Sequence, residues 1–325
     1  MLDLTTFLRQ LANAFARQSL PWLVMRNHAL LPETNIGGDI DFLIPPVSSC
    51  DARHIVDASG NVAISTHCER SWVRNFWLAN VCQRQGERGL QVDFIDDIVF
   101  RGIPLLDTDA ILARRQPHPR APEFLSIPEP LDEAILIFVQ SYLVTGSMKE
   151  RYRDQVASAF AAQQEQAISR LAPAMGKRAA TAACGLVSSA CWSGVESMIW
   201  KWRGAIVARA MRHKPLETVA GTAAYFRAET RIARDDFLTF NPVVAGAQDR
   251  RDQLAQSLGG LAKTVRAVPG DWKRAGRRRL PELLISPASI GSSISCEMPG
   301  AGEQDIIDAM CENARKAAAI YRLRD

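Results

Sequence analysis

Residues 37–44 read Gly37-Gly38-Asp39-Ile40-Asp41-Phe42-Leu43-Ile44. On a strand, residues two apart share a face, so Asp39 and Asp41 project together while Ile40 and Phe42 face the other way. Two carboxylates one pleat apart, preceded by glycines that admit close backbone approach, form an all-oxygen donor set suited to a hard divalent cation such as Mg²⁺. A second strand-like run, Leu90-Gln91-Val92-Asp93-Phe94-Ile95, carries one further acid among apolar residues. Neighbouring strands lie about 4.8 Å apart. Pairing the two runs side by side would make a cluster of Asp39, Asp41 and Asp93. Three such carboxylates can hold two divalent ions about 3.5–4 Å apart, the arrangement used for in-line displacement at phosphorus. Asp96 and Asp97 follow at the strand end, where the sequence predicts solvation rather than ligation.

The elements that must position these acids can be read from the pattern. Leu4, Phe7, Leu8, Leu11 and Phe15 recur at helical spacing, predicting an amphipathic helix over 3–18. A first strand follows Pro21, and the loop 28–37 carries Pro32, Asn35 and Gly37 as turn residues. The acidic strand ends at Pro45-Pro46, and Ser48, Ser49 and Asp51 predict the cap of a helix over 50–58. Strands over 61–66 and 72–81, a turn at 83–89, the third-acid strand, a short strand at 103–106 and a helix over 107–115 complete this region.

The run Trp22-Leu23-Val24-Met25-Arg26-Asn27, the spacer with Leu31-Pro32-Glu33, and Gly38-Asp39-Ile40-Asp41 together resemble the nucleotidyltransferase (DNA polymerase β-like) superfamily. The similarity is to bacterial members with an Arg-Asn or Arg-Gly pair ending the first strand, a type associated with surface-polysaccharide loci. It extends over about residues 1–110. Asp93 matches the third acid of that family, and Phe100 to Leu106 matches the segment after it. The resemblance implies Mg²⁺-dependent transfer of a nucleoside monophosphate from an NTP to a hydroxyl acceptor. Asp39, Asp41 and Asp93 would be metal-binding and catalytic, and Arg26, Asn27, Gly37 and Gly38 would contact the nucleotide. The chain departs from the family at Arg26-Asn27, where many members have Gly-Ser or Gly-Gly whose amides hold the triphosphate. A guanidinium suits phosphate geometry, so Arg26 is expected to replace those amides.

The fold class expected is α+β: a nucleotidyltransferase-type mixed sheet with flanking helices over 1–120, a mainly helical domain over 121–240, and a basic linker with a degenerate phosphate-loop-like tail over 241–325. The boundary is placed at 116–130, where Pro117, Pro119, Pro122, Pro128 and Pro130 exclude a helix or inner strand. Helices are predicted over 131–144, 154–171, 176–200, 201–212 and 216–234, with another beginning at 149–153. Lys149, Arg151 and Arg153 are cations within reach of a substrate phosphate. Trp192, Trp200 and Trp202 are expected in the helical core. In the tail, strands over 280–285 and 292–296 lead through Pro299-Gly300-Ala301-Gly302 into a helix from 306 to about 321. This is similar to the opening of a thymidylate-kinase-like domain. Glu297, Glu303 and Gln304 stand where a phosphate loop needs Gly, Lys and Ser or Thr, so no nucleotide binding is expected there.

Bulk properties narrow the classes. The formal net charge is +4, and seven scattered cysteines form no CxxC pair or zinc spacing. Residues 201–280 hold 17 Lys and Arg against 7 Asp and Glu, a candidate surface for a polyanion such as a nucleotide, an RNA or a membrane. The uncharged stretch 179–195 is rich in Ala, Gly and Ser and predicts a buried helix rather than a span. The beginning of the chain lacks signal-peptide patterning, and a cytoplasmic location is expected. Two other readings stay open: a regulatory or binding protein that keeps the fold without turnover, and a nucleotidyltransferase toxin acting on RNA or protein.

Overall fold

The computed structural model describes residues 2–35, 38–59, 65–69, 72–84, 87–234, 239–245, 247–262, 264–268, 282–287, 294–298 and 300–322. Expected features at Gly37, over 61–64, 280–281 and 292–293, and at Pro299 lie outside the described residues.

The chain begins β1 (Leu2–Asp3), α1 (Leu4–Arg17), β2 (Leu23–Val24), β3 (Asp39–Leu43), α2 (Ser49–Ala58), β4 (Ser65–Glu69), β5 (Val73–Arg84) and β6 (Glu87–Ile95). Asp3 caps α1 by accepting from the Thr6 amide at 2.9 Å, and Ser48 caps α2 through the Asp51 amide. Six strands form a mixed sheet in the order β1-β5-β6-β3-β2, with β4 also on β5. β3 runs parallel to β6, and both β2 on β3 and β5 on β6 are antiparallel. Phe7, Leu8, Leu11 and Phe15 of α1 pack with Ile40, Phe42 and Phe94 on one face of this sheet.

The opposite face belongs to the helices. After β7 (Val99–Phe100), β8 (Ile103–Pro104), α3 (Thr108–Ala113), β9 (Gln116–Pro117) and β10 (Ser126–Ile127), the chain enters α4 (Pro130–Phe138). This helix runs directly into a π-helix, Val139–Thr145, stopped by Gly146 at φ 101°. A 3₁₀ turn (Glu150–Tyr152), α5 (Arg153–Ala162), α6 (Gln164–Met175), α7 (Lys177–Ser188), α8 (Trp192–His213) and α9 (Pro215–Arg234) follow. Leu23, Leu43, Val73 and Ile95 of the sheet share one continuous apolar cluster with Leu131, Phe138, Phe160 and Trp202. The proline-rich segment expected as a boundary is thus crossed by a common core, and its short β9–β10 hairpin seats Ala121 and Leu125 in the cluster on the α1 side of the sheet.

Three expectations change. The helical break foreseen at 200/201 falls at 189–191. There Ala190 takes φ 54°, and the Cys191 amide returns to the Leu186 carbonyl at 2.9 Å. A left-handed helix stop normally announces itself with glycine, and this one uses alanine. Trp202 is buried as expected, but Trp200 is 72% exposed, since α8 turns that position away from the bundle. Part of the region foreseen as linker instead supplies strands and a helix of a second sheet-based unit. β11 (Thr239–Val243), α10 (Gln248–Ser257), β12 (Thr264–Ala267), β13 (Glu282–Ile285), β14 (Ile294–Glu297) and α11 (Glu303–Arg322) build four parallel strands in the order β12-β13-β11-β14. Its core includes Phe240, Leu283, Ile285 and Ile306, and the Trp77 indole donates to the Gly260 carbonyl at 3.1 Å, joining it to β5.

At the start of α4, the buried Asp132 accepts from Arg114 at 2.9 and 3.0 Å and from Arg170 at 2.7 Å, with Glu129 beside both cations. Replacing Asp132 with Ala leaves two partly buried guanidiniums sharing Glu129 alone. It should lower unfolding stability by about 3 kcal/mol, measured by urea denaturation.

Candidate metal site

The site rests on strand register. β3 and β6 pair with Asp41 directly beside Asp93 and Asp39 beside Gln91, while β5 places Asn75 on the other side of Asp93. The face opposite Ile40 and Phe42 therefore carries a patch of Asp39, Asp41, Gln91, Asp93 and Asn75. One carboxylate oxygen from each of Asp39, Asp41 and Asp93 lies within 4.8 Å of the others. Among the described residues this is the only group of three or more His, Cys, Asp or Glu so gathered.

Asp41 and Asp93 are buried and Asp39 is half-exposed. Burial, reinforced by the Asp41 charge, pushes the Asp93 carboxyl up to about 7, against hydrogen bonds from Asn75 and Gln91 that favour its ionised form. The Gln91 amide donates to both Asp93 oxygens, at 3.0 and 3.2 Å. Burial also raises Asp41. The adjacent Arg26 opposes that shift, the Asp39 charge adds to it, and Lys149 acts with Arg26. A cluster of like charges held out of water is chemically suited to a divalent cation, and its donors are all hard oxygens.

Arg26 and Asn27 do not sit alike. The Arg26 Nε donates to Asp41 Oδ2 at 2.6 Å, so the guanidinium is engaged with one of the three acids. Asn27, at φ 59°, turns its Oδ1 to the Tyr152 hydroxyl at 2.6 Å and to Arg151 at 3.3 Å. It ties the end of β2 to the helical region. Gly38 is exposed next to Asp39. Arg153 pairs with Glu196, leaving Lys149 as the cation of that run whose charge reaches Asp41.

Asp41 and Asp93, with Arg26, form one wall of a cleft of about 340 Å³ between the sheet and the π-helix. Trp72 and Asp97 line it from the sheet, and Gln140, Ser141 and Thr145 from the π-helix. The three from the π-helix had no sequence signal, because 131–144 reads as an apolar helix. The Gln140 Oε1 is buried with no hydrogen-bond partner among the described residues. Asp96 and Asp97 differ from the solvated strand end expected. Asp96 is buried in an ion pair with Arg74 at 2.8 Å, and burial lifts Asp97 to about 6. A larger cavity, about 570 Å³, lies apart from the acids between β8 and the α8–α9 junction, and its walls are mainly apolar.

No family model matches the chain, and neither a curated protein nor a solved structure matches it. No helix among the described residues is long and apolar enough to cross a membrane. At the start of α11 the Gly302 amide donates to the Asp305 carboxylate at 2.8 Å, capping the helix.

Because the native Asp93 holds its proton to about pH 7 and an unfolded aspartate releases it near 4, metal-free stability falls as pH rises from about 4 to 7. Asp93→Asn should therefore stabilise the metal-free protein by about 2–4 kcal/mol at pH 8 and by almost nothing at pH 4, measured by denaturation in chelator. Divalent-ion affinity of the unaltered protein should rise from pH 6 to pH 8 in titration calorimetry, since binding displaces that proton.

Proposed function

We propose that the chain is a Mg²⁺-dependent nucleotidyltransferase that moves a nucleoside monophosphate from an NTP to a hydroxyl acceptor. The observation that carries this reading is the meeting of Asp39, Asp41 and Asp93 on adjacent strands beside an open cleft. Asp39 and Asp41 would hold the metal with Asp93, and bound Mg²⁺ supplies charge neutralisation at the triphosphate and at the attacking oxygen. The acceptor oxygen forms its bond to the α-phosphorus as the bond from that phosphorus to the β-bridging oxygen breaks, releasing pyrophosphate. Asp93 is the group placed to accept the hydroxyl proton. Lys149 and Arg26 would balance phosphate charge.

One observation favours a second reading, a binding protein without turnover. Arg26 already occupies an oxygen of Asp41. With Arg26 in place the three ionised acids and the guanidinium carry a net charge of −2, which a single divalent ion neutralises. Turnover requires Arg26 to release Asp41 as the nucleotide arrives.

Purified protein incubated with each labelled NTP, Mg²⁺ and a cell extract should transfer label to an acceptor, and Asp39→Ala or Asp41→Ala should reduce that transfer at least about 100-fold. Mg²⁺-dependent NTP binding without any transfer supports the binding protein, and binding indifferent to both substitutions refutes both readings. Arg26→Ala separates the roles of the guanidinium. As a phosphate clamp its loss weakens NTP binding about tenfold. As a plug on Asp41 its loss instead tightens Mg²⁺ binding, as calorimetry would show.

A further inference from the structure

α8 is apolar on two separate sides, about 130° apart. Val195, Ile199, Trp202 and Ile206 are buried in the bundle. At about 100° per residue, Trp200, Val207 and Met211 fall within about 40° of one another on a second side, and all three are exposed. α9 repeats the arrangement. Its inner side is fixed by Tyr225, stacked on Trp72 at 4.7 Å, and by Gly221, which packs against Gly102 so closely that a Cβ on Gly102 would lie 2.2 Å from the Gly221 carbonyl oxygen. Its outer side carries Leu216, Val219 and Phe226, exposed by 84, 58 and 52%. Single exposed apolar residues are ordinary, but two helices each bearing a phased apolar stripe apart from their packed face form a surface that needs explaining.

The charges identify what covers it. Between Trp200 and Arg227 the sequence holds six Lys and Arg against one Glu. Lys201, Arg212, Lys214 and Arg227 are exposed on the same two helices, and the corner from Met211 to Glu217 is exposed throughout. The Lys214–Glu217 pair at 2.9 Å is itself exposed and holds little energy. The inner side of the same corner, through Ile206, Ala210 and Thr218, lines the apolar cavity of about 570 Å³, with Arg209, His213 and Lys214 also on its wall. Aliphatic tips flanked by cations, with an apolar hollow behind them, match an anionic amphiphile: acyl chain against Leu, Val and Met, acidic headgroup against Lys and Arg. A second copy of this chain fits poorly, because a two-fold contact would bring like cations together. A nucleic acid offers no partner to Leu216, Val219 or Met211.

We propose that the α8–α9 corner docks the protein on an anionic lipid surface, with Leu216, Val219, Met211, Trp200 and Phe226 entering the headgroup region and the surrounding Lys and Arg contacting lipid phosphates and carboxylates. This inference stands independently of turnover at the acidic site. The test is co-sedimentation of the full chain with vesicles of phosphatidylcholine alone and of phosphatidylcholine with 30% phosphatidylserine. The unaltered protein should partition at least about tenfold more strongly onto the serine-containing vesicles. Trp200→Ser, Leu216→Ser and Phe226→Ser combined should cut that binding at least about tenfold. Arg212→Glu, an exposed single change, should cut it about fivefold or more. Circular dichroism and thermal melting of both variants check that the fold survives. Should the triple variant prove unfolded, the Arg212→Glu result decides alone. Absence of binding to either vesicle, binding unchanged in a folded variant, or a concentration-dependent dimer in ultracentrifugation that the triple variant abolishes would each overturn the proposal.

Discussion

The parallel pairing of β3 with β6 sets Asp41 and Asp93 side by side in a buried position, with Asp39 one pleat along. Two ionised carboxylates about 5 Å apart repel by about 3 kcal/mol even at an effective dielectric constant near 20. Desolvation adds to that cost. Proteins tolerate such an arrangement when compensating groups surround it. Here they are the Arg26 guanidinium on Asp41, the Gln91 and Asn75 amides on Asp93, and the proton that Asp93 keeps to about pH 7. Each of these is a partial substitute for a cation, and the cluster is most simply balanced by a divalent ion.

The rest of the molecule follows from keeping that face both formed and accessible. α1 and α2 seal the other side of the sheet, which lets Ile40, Phe42 and Phe94 anchor the strands bearing the acids. The helical region then covers most of the acidic face with a shared apolar core but leaves a cleft where α4 relaxes into a π-helix. The wider turn carries Gln140, Ser141 and Thr145 at the cleft wall in place of a packed apolar ridge. Asn27, bonded to Tyr152 and Arg151, fixes the helical region against the sheet next to the acids. The same bundle turns an unsatisfied apolar and cationic surface outward at the α8–α9 corner, on a different side of those helices from the core.

Much of the N-terminal architecture was legible because its signals are local. The 3.6-residue spacing of α1, the Ser48 cap of α2 and the alternation around Asp39 and Asp41 are each decided within a few residues, and the described elements follow them closely. Signals that depend on partners were not legible. The stop at Ala190 hides without a glycine, the exposure of Trp200 depends on which side of α8 meets the bundle, and β11 and β12 look like linker until their parallel neighbours are present. Asp96 reads as a solvated strand end until Arg74, twenty-two residues away, is brought against it.

Residue order by itself determined that Asp39 and Asp41 share a face, that Asp93 sits inside an apolar strand, and that an α+β chain follows, because strand and helix periodicity are properties of consecutive residues. Tertiary structure alone decided that β6 lies beside β3 in the register joining Asp93 to Asp41, that Arg26 spends its guanidinium on Asp41, and that a π-helix bounds the cleft. Those outcomes depend on which distant segments compete successfully for the same buried neighbours, and no local window of sequence contains that competition.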